Sequence, residues 1–356
     1  AAGIRSEIVG ERHWLEASRP VDLFDAKAVS LVEGDISFSS RYYSAVDLLR
    51  NHAQVGDIVV IAIVGFDAIE SVSAAIDIGC KIALANKETL VAAGEHIMTR
   101  LRASEATLVP VDSEHSAIFQ AISTAPNESI KQIILTASGG PFRQSTCKEI
   151  QNATRSQVLN HPTWNMGEKV TVDSASLMNK ALELIEARWL FDMDNNQLAA
   201  VIHPQSIVHG IVEFVDGSSI AQLAPPNMKF PIQYALTYPA RSLCPMQSLD
   251  WKDSHNLTFE QIDEKRFPAI NMAREGISLG GTAGGIFNAA NEVAVEAFLN
   301  GRISFGQICT LVEKVLSLSK IESASTLESI KDSDILARTR AAEHIQTLQS
   351  TIESSP

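Results

Sequence analysis

Cysteine, basic side chains and long hydrophobic runs are scarce in this sequence of 356 residues, and each scarcity excludes a class of protein. The four cysteines lie far apart and match no metal-binding spacing, which argues against a zinc module and a disulfide framework. So few cysteines are typical of a reducing compartment. Lysine and arginine total 29 against 42 acidic residues, and the net charge of −13 argues against a general binder of nucleic acid or of anionic membranes. A small basic pocket for a phosphorylated metabolite stays compatible with that balance.

No stretch of the sequence is apolar for long enough to cross a membrane. The longest run, 58–66, falls far short of the roughly 20 residues that a membrane helix needs. The chain opens with Ala1-Ala2-Gly3, without an initiator methionine or a signal region, so we expect it to begin inside a larger sequence. With 45% hydrophobic and 20% charged residues, the chain is long enough for two or three packed domains.

Residues 57–137 alternate β-branched runs with amphipathic stretches. The pattern predicts strands at 58–64, 81–85, 107–111 and 131–137, with helices between them. Such alternation is typical of right-handed βαβ units in a parallel sheet. The continuous apolar run at 58–64 predicts a strand that is buried on both faces.

A cluster of small or polar residues follows each of these predicted strands. Val64-Gly65 follows the first and Asn86-Lys87-Glu88 the second, while Asp112-Ser113-Glu114 and Ser138-Gly139-Gly140 follow the third and fourth. Open parallel sheets bind ligands in the crevice outside the carboxyl ends of their strands. We therefore expect a ligand site at this edge.

Three acidic residues predict a metal site. Asp112 and Glu114 end a predicted strand at i and i+2, so both side chains can point the same way. Glu183 lies on a predicted helix at 176–191, where it shares a polar strip with Asn179 and Lys180. Three converging carboxylates form an all-oxygen site that suits Mg²⁺ or Mn²⁺. Two alternatives stay open: acids that complement a helix dipole, and a solvated pair of Lys180 with Glu183.

Phosphate recognition has separate candidates. Ser138-Gly139-Gly140 can present backbone N–H groups and a hydroxyl to an anion, although an ordinary turn gives the same pattern. Ser174, Asn179 and Lys180 supply further donors near the start of the Glu183 helix. Lys87 follows a strand and is either a surface lysine or a substrate contact.

Other segments have two readings each. Residues 161–167 mix turn formers with Trp164, and form either a closing lid or a loop whose tryptophan fills the core. His203 and His209 gain no role from their spacing. The glycine-rich segment 280–285 lacks the lysine and the preceding strand of a phosphate loop, so we expect a helix-entry turn there.

The last third of the sequence predicts a linker followed by helices. Residues 238–267 are irregular and rich in proline, as expected for a chain that crosses between domains. Apolar residues recur with helical period at 287–300, 305–316 and 333–351, which predicts a small helical C-terminal domain.

Seven motifs resemble the 1-deoxy-D-xylulose 5-phosphate reductoisomerase family, and the resemblance runs from about residue 57 to about residue 317. The motifs are Leu84-Ala-Asn-Lys-Glu-Thr-Leu90, Pro110-Val-Asp-Ser-Glu-His-Ser-Ala-Ile-Phe-Gln120, Leu135-Thr-Ala-Ser-Gly-Gly-Pro-Phe-Arg143, His161-Pro-Thr-Trp-Asn-Met-Gly167, Val172-Asp-Ser-Ala-Ser-Leu-Met-Asn-Lys180, Ile202-His-Pro-Gln-Ser206 and Asn288-Ala-Ala-Asn-Glu292.

The resemblance implies a metal-dependent and NADPH-dependent conversion of 1-deoxy-D-xylulose 5-phosphate to 2-C-methyl-D-erythritol 4-phosphate in non-mevalonate isoprenoid synthesis. It implies metal ligation by Asp112, Glu114 and Glu183, with a metal that polarises the substrate's carbonyl and hydroxyl groups. The catalytic residues implied are Lys87, Glu114, His161 and Glu183. The substrate contacts implied are Lys87, Ser113, Ser138, His161, Ser174, Asn179, Lys180 and Glu183. The cofactor contacts implied are Gly3, Arg5, Asn86, Glu88 and Gly167.

Ser113 and the start of the chain need comment within this resemblance. Strand periodicity points Ser113 away from Asp112 and Glu114, so its implied role requires that the strand has already ended there. The family's first strand and glycine-rich pyrophosphate loop are absent, and Gly3 matches the end of the second strand. Arg5 is a hypothetical partner for the NADPH 2′-phosphate. We expect a chain that begins at Ala1 to bind NADPH poorly.

The expected fold is α/β, in three parts. These are a truncated Rossmann-like NADPH domain at 1–112, an α+β catalytic domain at 113–237 with a lid at 160–168, and a helical domain at 267–356. A linker at 238–266 precedes the helical domain. Residues 10–56 match the family poorly. The family also implies a homodimer in the bacterial cytoplasm or the plastid stroma, with a phosphosugar as substrate and neither nucleic acid nor membrane as partner.

Two rival functions stay open. One is a sugar-phosphate isomerase or aldolase without hydride transfer. The other is an inactive relative that only binds phosphate.

Overall fold

The computed structural model describes residues 6–8, 27–32, 35–42, 44–123, 125–164, 166–252 and 256–353, with side chains from Ser44 to Ser350. The helices are α1 Ala45–His52, α2 Ala68–Ile78, α3 Glu88–Arg102, α4 Ser113–Ile122, α5 Cys147–Gln151, α6 Arg155–Val158, α7 Glu168–Ala175, α8 Met178–Leu190, α9 Lys229–Thr237, α10 Ala269–Leu279, α11 Ala283–Leu299, α12 Gln307–Leu318 and α13 Leu327–Glu353. The strands are β1 Ser6–Ile8, β2 Lys27–Val32, β3 Asp35–Tyr42, β4 Ile58–Ile61, β5 Lys81–Leu84, β6 Thr107–Pro110, β7 Ile130–Ala137, β8 Leu198–Ile202, β9 Val208–Phe214 and β10 Ser219–Leu223.

The strands form three sheets among the described residues. Strands β4, β5 and β6 make a parallel sheet in that order, and β1, β2 and β3 make an antiparallel one. The third sheet has the order β10-β9-β7-β8, in which β7 is parallel to β8 and antiparallel to β9. The prediction that the four strands of 57–137 share one parallel sheet is therefore wrong for β7. Helix α4 packs on β9 and β10 as well as on β6, so it leads the chain into a new sheet.

Strand β4 has one buried and one exposed face. Val59 and Ile61 pack into the core beside α2, whereas Ile58 and Val60 are 45% and 51% exposed. The prediction of a strand buried on both faces is wrong, because β4 is an edge strand of its sheet within the described residues.

The largest apolar core surrounds α8 and α11. Helix α3 packs against both of them at close range. A methyl group at Gly94 would lie 2.2 Å from the ring of Trp189 on α8, and one at Gly284 would lie 2.2 Å from the carbonyl oxygen of Val91. Glycine at these two positions lets the helices approach. Through α3, the contact joins the sheet of β4, β5 and β6 to α8 and to the C-terminal helix α11.

The predicted C-terminal helices are confirmed in outline, and the predicted linker falls in an irregular segment. Between α9 and α10, the described residues form no helix or strand beyond one bridge from Glu260 to Ile202. Helix α10 was absent from the sequence-based prediction, whereas α11, α12 and α13 match the predicted positions. Gly280 and Gly281, with φ of 64° and 50°, form the predicted turn into α11. Among the described residues, no helix has the length and apolarity needed to span a membrane.

Candidate active site

Asp112 and Glu114 lie at the start of helix α4. Strand β6 ends at Pro110 and Asp112 directly precedes the helix, so Ser113 and Glu114 occupy its first turn. The strand-based geometry predicted for this acidic pair is therefore wrong, because the chain turns before the acids are reached. The same turn brings Ser113 close to Glu114, and its hydroxyl donates to Glu114 Oε2 at 2.6 Å. The requirement that the strand end before Ser113 is met.

Helix α8 brings the third carboxylate to the same place. Glu183 is fully buried, and carboxylate oxygens of Asp112, Glu114 and Glu183 lie within 4.8 Å of one another. Lys180 is 3% exposed, so the alternative of a solvated Lys180–Glu183 pair is wrong. Three carboxylates that supply only oxygen atoms fit a hard divalent cation such as Mg²⁺ or Mn²⁺.

Two lysines are inserted between these acids. Lys87 Nζ lies 2.8 Å from Asp112 Oδ2 and 3.1 Å from Glu183 Oε1. Lys180 Nζ lies 2.9 Å from Glu114 Oε1 and also pairs with Glu183 Oε2. Lys87 is therefore no free surface lysine, since its ammonium group contacts two of the three acids.

The electrostatic environment separates the three acids. Burial raises the pKa of Glu183, and the neighbouring charge of Glu114 raises it further, to about 7. For Asp112, burial opposes ionisation, but the charge of Lys87 outweighs it and the pKa falls below its ordinary value. Glu114 is shifted in the same direction by Lys180. Glu183 is thus the acid of the three that holds a proton most easily near neutral pH.

A second polar cluster lies at the end of β7. His161 Nε2 is 3.1 Å from the hydroxyl oxygens of both Ser138 and Ser174. Its Nδ1 accepts from the backbone N–H groups of Thr163 and Trp164, at 3.1 and 2.9 Å, so Nε2 carries the proton. Burial lowers the pKa of His161, which keeps the ring neutral. One ring N–H and two hydroxyls therefore converge, as a phosphate site requires.

The glycines after Ser138 press this cluster against helix α7. Gly139 and Gly140 have φ of 85° and 60°, which side chains rarely adopt. A methyl group at Gly140 would lie 2.9 Å from the carbonyl oxygen of Ser174. Because this turn carries no side chain, Ser174 on α7 can come close to Ser138 and His161. An ordinary turn would not need two adjacent glycines.

Asn179 lies one turn before Glu183 on α8 and links Lys87 to Glu183. Its Oδ1 accepts from Lys87 Nζ at 2.7 Å, and its Nδ2 donates to Glu183 Oε1. Ser174 lies in the last turn of α7, just before α8 begins, which agrees with its predicted place near the start of the Glu183 helix. Leu177, with φ of 58°, makes the turn that joins the two helices.

The expected cofactor contacts fall in different places. Asn86 and Glu88 lie at the carboxyl end of β5, where both are buried and Asn86 Nδ2 donates to Glu88 Oε2 at 3.1 Å. Gly167 directly precedes α7. Gly3 and Arg5 lie outside the described residues.

Comparison with known proteins identifies the family. Family models of 1-deoxy-D-xylulose 5-phosphate reductoisomerase match residues 27–94, and models of its C-terminal domains match residues 108–191 and 223–340. The enzyme of that name from Trichlorobacter lovleyi is 48% identical over 291 residues, which are 82% of this chain and 75% of the relative. The chain belongs to the 1-deoxy-D-xylulose 5-phosphate reductoisomerase family.

Solved structures of the reductoisomerase family share the fold. The Zymomonas mobilis enzyme in complex with NADPH has a TM-score of 0.79 at 41% identity, and the match covers 84% of this chain and 78% of that one. A reductoisomerase in complex with NADPH, fosmidomycin and magnesium has a TM-score of 0.79 at 40% identity, over 86% and 79% of the two chains. The α/β fold class expected from the sequence is confirmed.

The reductoisomerase match extends further than the motifs suggested. The family models begin at residue 27 and end at residue 340, whereas the motifs reach only from about 57 to about 317. The expectation that 10–56 match the family poorly is therefore wrong from residue 27 onward. Residues 27–56 contain no long motif of the family, so the sequence alone carries no strong indication of family membership there.

Two buried residues beside the acids have no role in the sequence-based prediction. His115 Nε2 donates to the backbone carbonyl of Glu183 at 3.1 Å and lies 3.6 Å from Glu186 Oε2. Burial lowers the pKa of His115 to about 4, so its ring is neutral. His115 follows Glu114, and Glu186 lies one turn after Glu183, so helical spacing from the known acids is the signal that finds them.

The lid candidate and the two later histidines also have defined positions. The ring of Trp164 lies 6.5 Å from that of His209, centroid to centroid, while His209 Nε2 donates to the carbonyl of Ala224 at 3.1 Å. His203 accepts from the backbone N–H groups of Ile207 and Val208, at 3.2 and 3.1 Å. His203 is structural, whereas the ring of His209 lies beside that of Trp164.

Proposed function

We propose that this chain converts 1-deoxy-D-xylulose 5-phosphate to 2-C-methyl-D-erythritol 4-phosphate, with NADPH and a divalent metal, in non-mevalonate isoprenoid synthesis. One observation carries the proposal: three carboxylates converge beside two lysines in a chain of this family. A related enzyme has been solved with NADPH, fosmidomycin and magnesium, which supports the two cofactors.

Asp112, Glu114 and Glu183 would hold the metal. When bound, Mg²⁺ or Mn²⁺ supplies a Lewis acid that polarises a carbonyl and an adjacent hydroxyl, and NADPH supplies the hydride. Among the three acids, Glu183 has the pKa nearest neutrality, so it must give up its proton before it becomes a full ligand.

The protein's own side chains bind and orient the substrate. Ser138, Ser174 and His161 bring two hydroxyls and a ring N–H within hydrogen-bond distance of one another and would bind the phosphate group. Lys87 and Lys180 place two ammonium groups on the metal side, where they stabilise negative charge that develops on substrate oxygens.

The remaining proposed contacts come from α8, the α4 start and the lid. Asn179 holds the Lys87 ammonium in place, and Ser113 lies next to Glu114 at the substrate side. Residues 160–168 would close over the substrate, because Trp164 is positioned beside His209 and brings an apolar ring to the cleft. Closure would exclude water from the polarised substrate.

Replacing Glu183 with glutamine tests the proposal. The change keeps the shape of the side chain but removes one of the three charges, so metal-dependent turnover should fall by more than about 100-fold. The assay follows NADPH absorbance with 1-deoxy-D-xylulose 5-phosphate and Mg²⁺. Glu213→Gln, in an exposed pair with Lys131, is the matched control and should retain activity.

The same experiment separates the rivals. Normal turnover in Glu183→Gln would reject the proposed metal site. A parent chain that consumes the ketose phosphate without oxidising NADPH would favour an isomerase or aldolase. An inactive phosphate binder would bind Mg²⁺ no better than the Glu183→Gln variant, which calorimetric titration measures.

The domain boundaries at 112, 237 and 266 stay part of the proposal, as do a homodimer, the use of manganese and a bacterial cytoplasmic or plastid location. The change from parallel to mixed sheet after α4 supports the first boundary. The irregular segment between α9 and α10 supports the other two.

A further inference from the structure

Helix α7 begins at Glu168, the last residue of the proposed lid, and carries a lysine that the proposed reaction does not use. Lys169 Nζ lies 3.1 Å from Glu88 Oε1 and 3.0 Å from Asp173 Oδ2. Glu88 is the first residue of α3, on the proposed cofactor side, and Asp173 lies one turn further along α7. Lys169 therefore connects α7 to the start of α3.

The Glu88 end of this bridge is fixed by the strand ends. Glu88 Oε2 accepts from Asn86 Nδ2, and the same amide nitrogen lies 2.7 Å from the carbonyl oxygen of Ile63 and 3.0 Å from that of Gly65. The Glu88 carboxylate is thus connected to the segments that follow β4 and β5. Open sheets of this kind bind their ligands at those ends.

The Asp173 end is fixed by the C-terminal helices. Asp173 is 1% exposed, and its Oδ1 accepts from Asn291 Nδ2 at 2.9 Å. Asn291 lies on α11 and is fully buried. This hydrogen bond fixes α7 against α11, and the Lys169 side chain of α7 extends to Glu88.

The charge of Lys169 balances the two carboxylates that it joins. Glu88 and Asp173 are both buried, and the single ammonium of Lys169 contacts both. Burial by itself disfavours the charged lysine, but Asp173 and Glu88 outweigh it and raise its pKa above the ordinary value. Without Lys169, two buried carboxylates would lose a shared partner, which leaves uncompensated charge.

We propose that Lys169 is a positioning residue that holds the Glu88 carboxylate at the cofactor site and ties the base of the lid to the strand ends. Glu88 and Gly167 are both proposed cofactor contacts, and they belong to separate elements. Lys169 follows Gly167 by two residues and contacts Glu88, so it joins the two. The inference rests on the proposed function for its kinetic consequence only.

Steady-state kinetics of the full chain measure that consequence. Lys169→Met should raise the KM for NADPH about tenfold and change kcat by less than about threefold, because the metal and phosphate groups are untouched. In a Glu88→Gln background the same replacement should add less than about threefold, since the two residues act as a pair. Lys169→Arg keeps the charge and should stay within about threefold of the parent. Equal effects in both backgrounds, or a loss confined to kcat, would overturn the proposal.

Amide hydrogen exchange without ligand tests the contact independently of turnover. Lys169→Met should speed exchange at residues 87–90 and 168–172 about tenfold or more, because the bridge closes both segments. Glu88→Gln should do the same and replaces Lys169→Met if that variant fails to fold. Lys131→Met, which removes an exposed pair with Glu213, should leave both segments unchanged.

Unchanged exchange at 87–90 would overturn the role of Lys169. A parent chain that oxidises no NADPH would reject the proposed function instead, and the exchange result would still decide the bridge.

Discussion

At the scale of single residues, the candidate site depends on burial that no residue type reveals. Glu183 and Lys180 have the sequence pattern of an ordinary surface pair, yet they are 0% and 3% exposed. Helix α8 packs against α3 and α10, and the two side chains contact Lys87 and Glu114 at the starts of α3 and α4. A pair that would contribute little at the surface becomes, in this position, a strongly coupled part of a charged cluster.

The pKa of Glu183 predicts pH-dependent metal binding. Burial and the charge of Glu114 raise it to about 7, so below that pH a metal must displace a proton. The affinity for Mg²⁺ should rise up to about tenfold per pH unit below 7 and level off near pH 8. Calorimetric titration between pH 5.5 and 8.5 (roughly one and a half units either side of that pKa) measures this dependence.

Glu183→Gln is the control for this prediction, and the same pKa shift also predicts how the free energy of unfolding changes with pH. Glu183→Gln should bind metal more weakly and lose the pH dependence, whereas a parent affinity independent of pH would contradict the assignment. Without metal, the folded chain keeps a proton that an ordinary glutamate releases near 4.5. The free energy of unfolding should therefore fall as the pH rises from 4.5 to about 7.

At the scale of elements, periodicity found the strands and helices but not their partners. Strands β5 and β6 were predicted within one residue of their observed ends, and α11 and α12 within a few. The sheet of β7 was not predicted, because an alternating pattern is the same whether a helix returns the chain to its first sheet or leads it to another. The helix predicted at 176–191 begins two residues later, at Met178, because Leu177 turns the chain with a φ of 58° that is rare for a non-glycine residue.

The close crossing of α3 and α11 predicts unequal effects at two adjacent glycines. A methyl group at Gly284 would lie 2.2 Å from the carbonyl oxygen of Val91, whereas the nearest atom to one at Gly285 is 3.5 Å away. Gly284→Ala should lower the free energy of unfolding by about 2 kcal/mol or more, because backbone must move. Gly285→Ala should be neutral or stabilise by up to about 1 kcal/mol, since alanine favours helix.

Thermal and denaturant unfolding of the two variants measure the difference. Similar losses in both would mean that helix crossing at Gly284 does not set the stability of this core.

At the scale of the whole molecule, the acidic balance and the binding of anions are compatible. The net charge of −13 counts the whole chain, whereas Lys87 and Lys180 place two ammonium groups among the three acids, and His161 lies beside the Ser138 hydroxyl. Local charge decides what a cleft binds, and net charge decides solubility and non-specific association.

The mixed sheet predicts how two copies would associate. Strand β10 is an edge strand among the described residues, has no charged side chain, and exposes Ile220 by 40%. Such an edge is open to pairing with another chain. Light scattering should give twice the 38.6 kDa of one chain. Ile220→Lys should shift the mass toward one copy, and Ile335→Lys, which changes an exposed residue of α13, should not.

A dimer unaffected by Ile220→Lys would place the interface elsewhere. A single copy in the parent would reject the homodimer.

The sequence by itself determined the α/β class and most helices, and it pointed to the acids, lysines and serines of the candidate site. These properties follow from local periodicity and from motifs that occupy consecutive residues. Only the tertiary structure decided that Asp112 and Glu114 start a helix, that Lys87 contacts the acids and that Lys169 joins α7 to Glu88. The reason is physical: these contacts join residues far apart in the chain, and packing of α3, α7 and α8 brings them together and removes water.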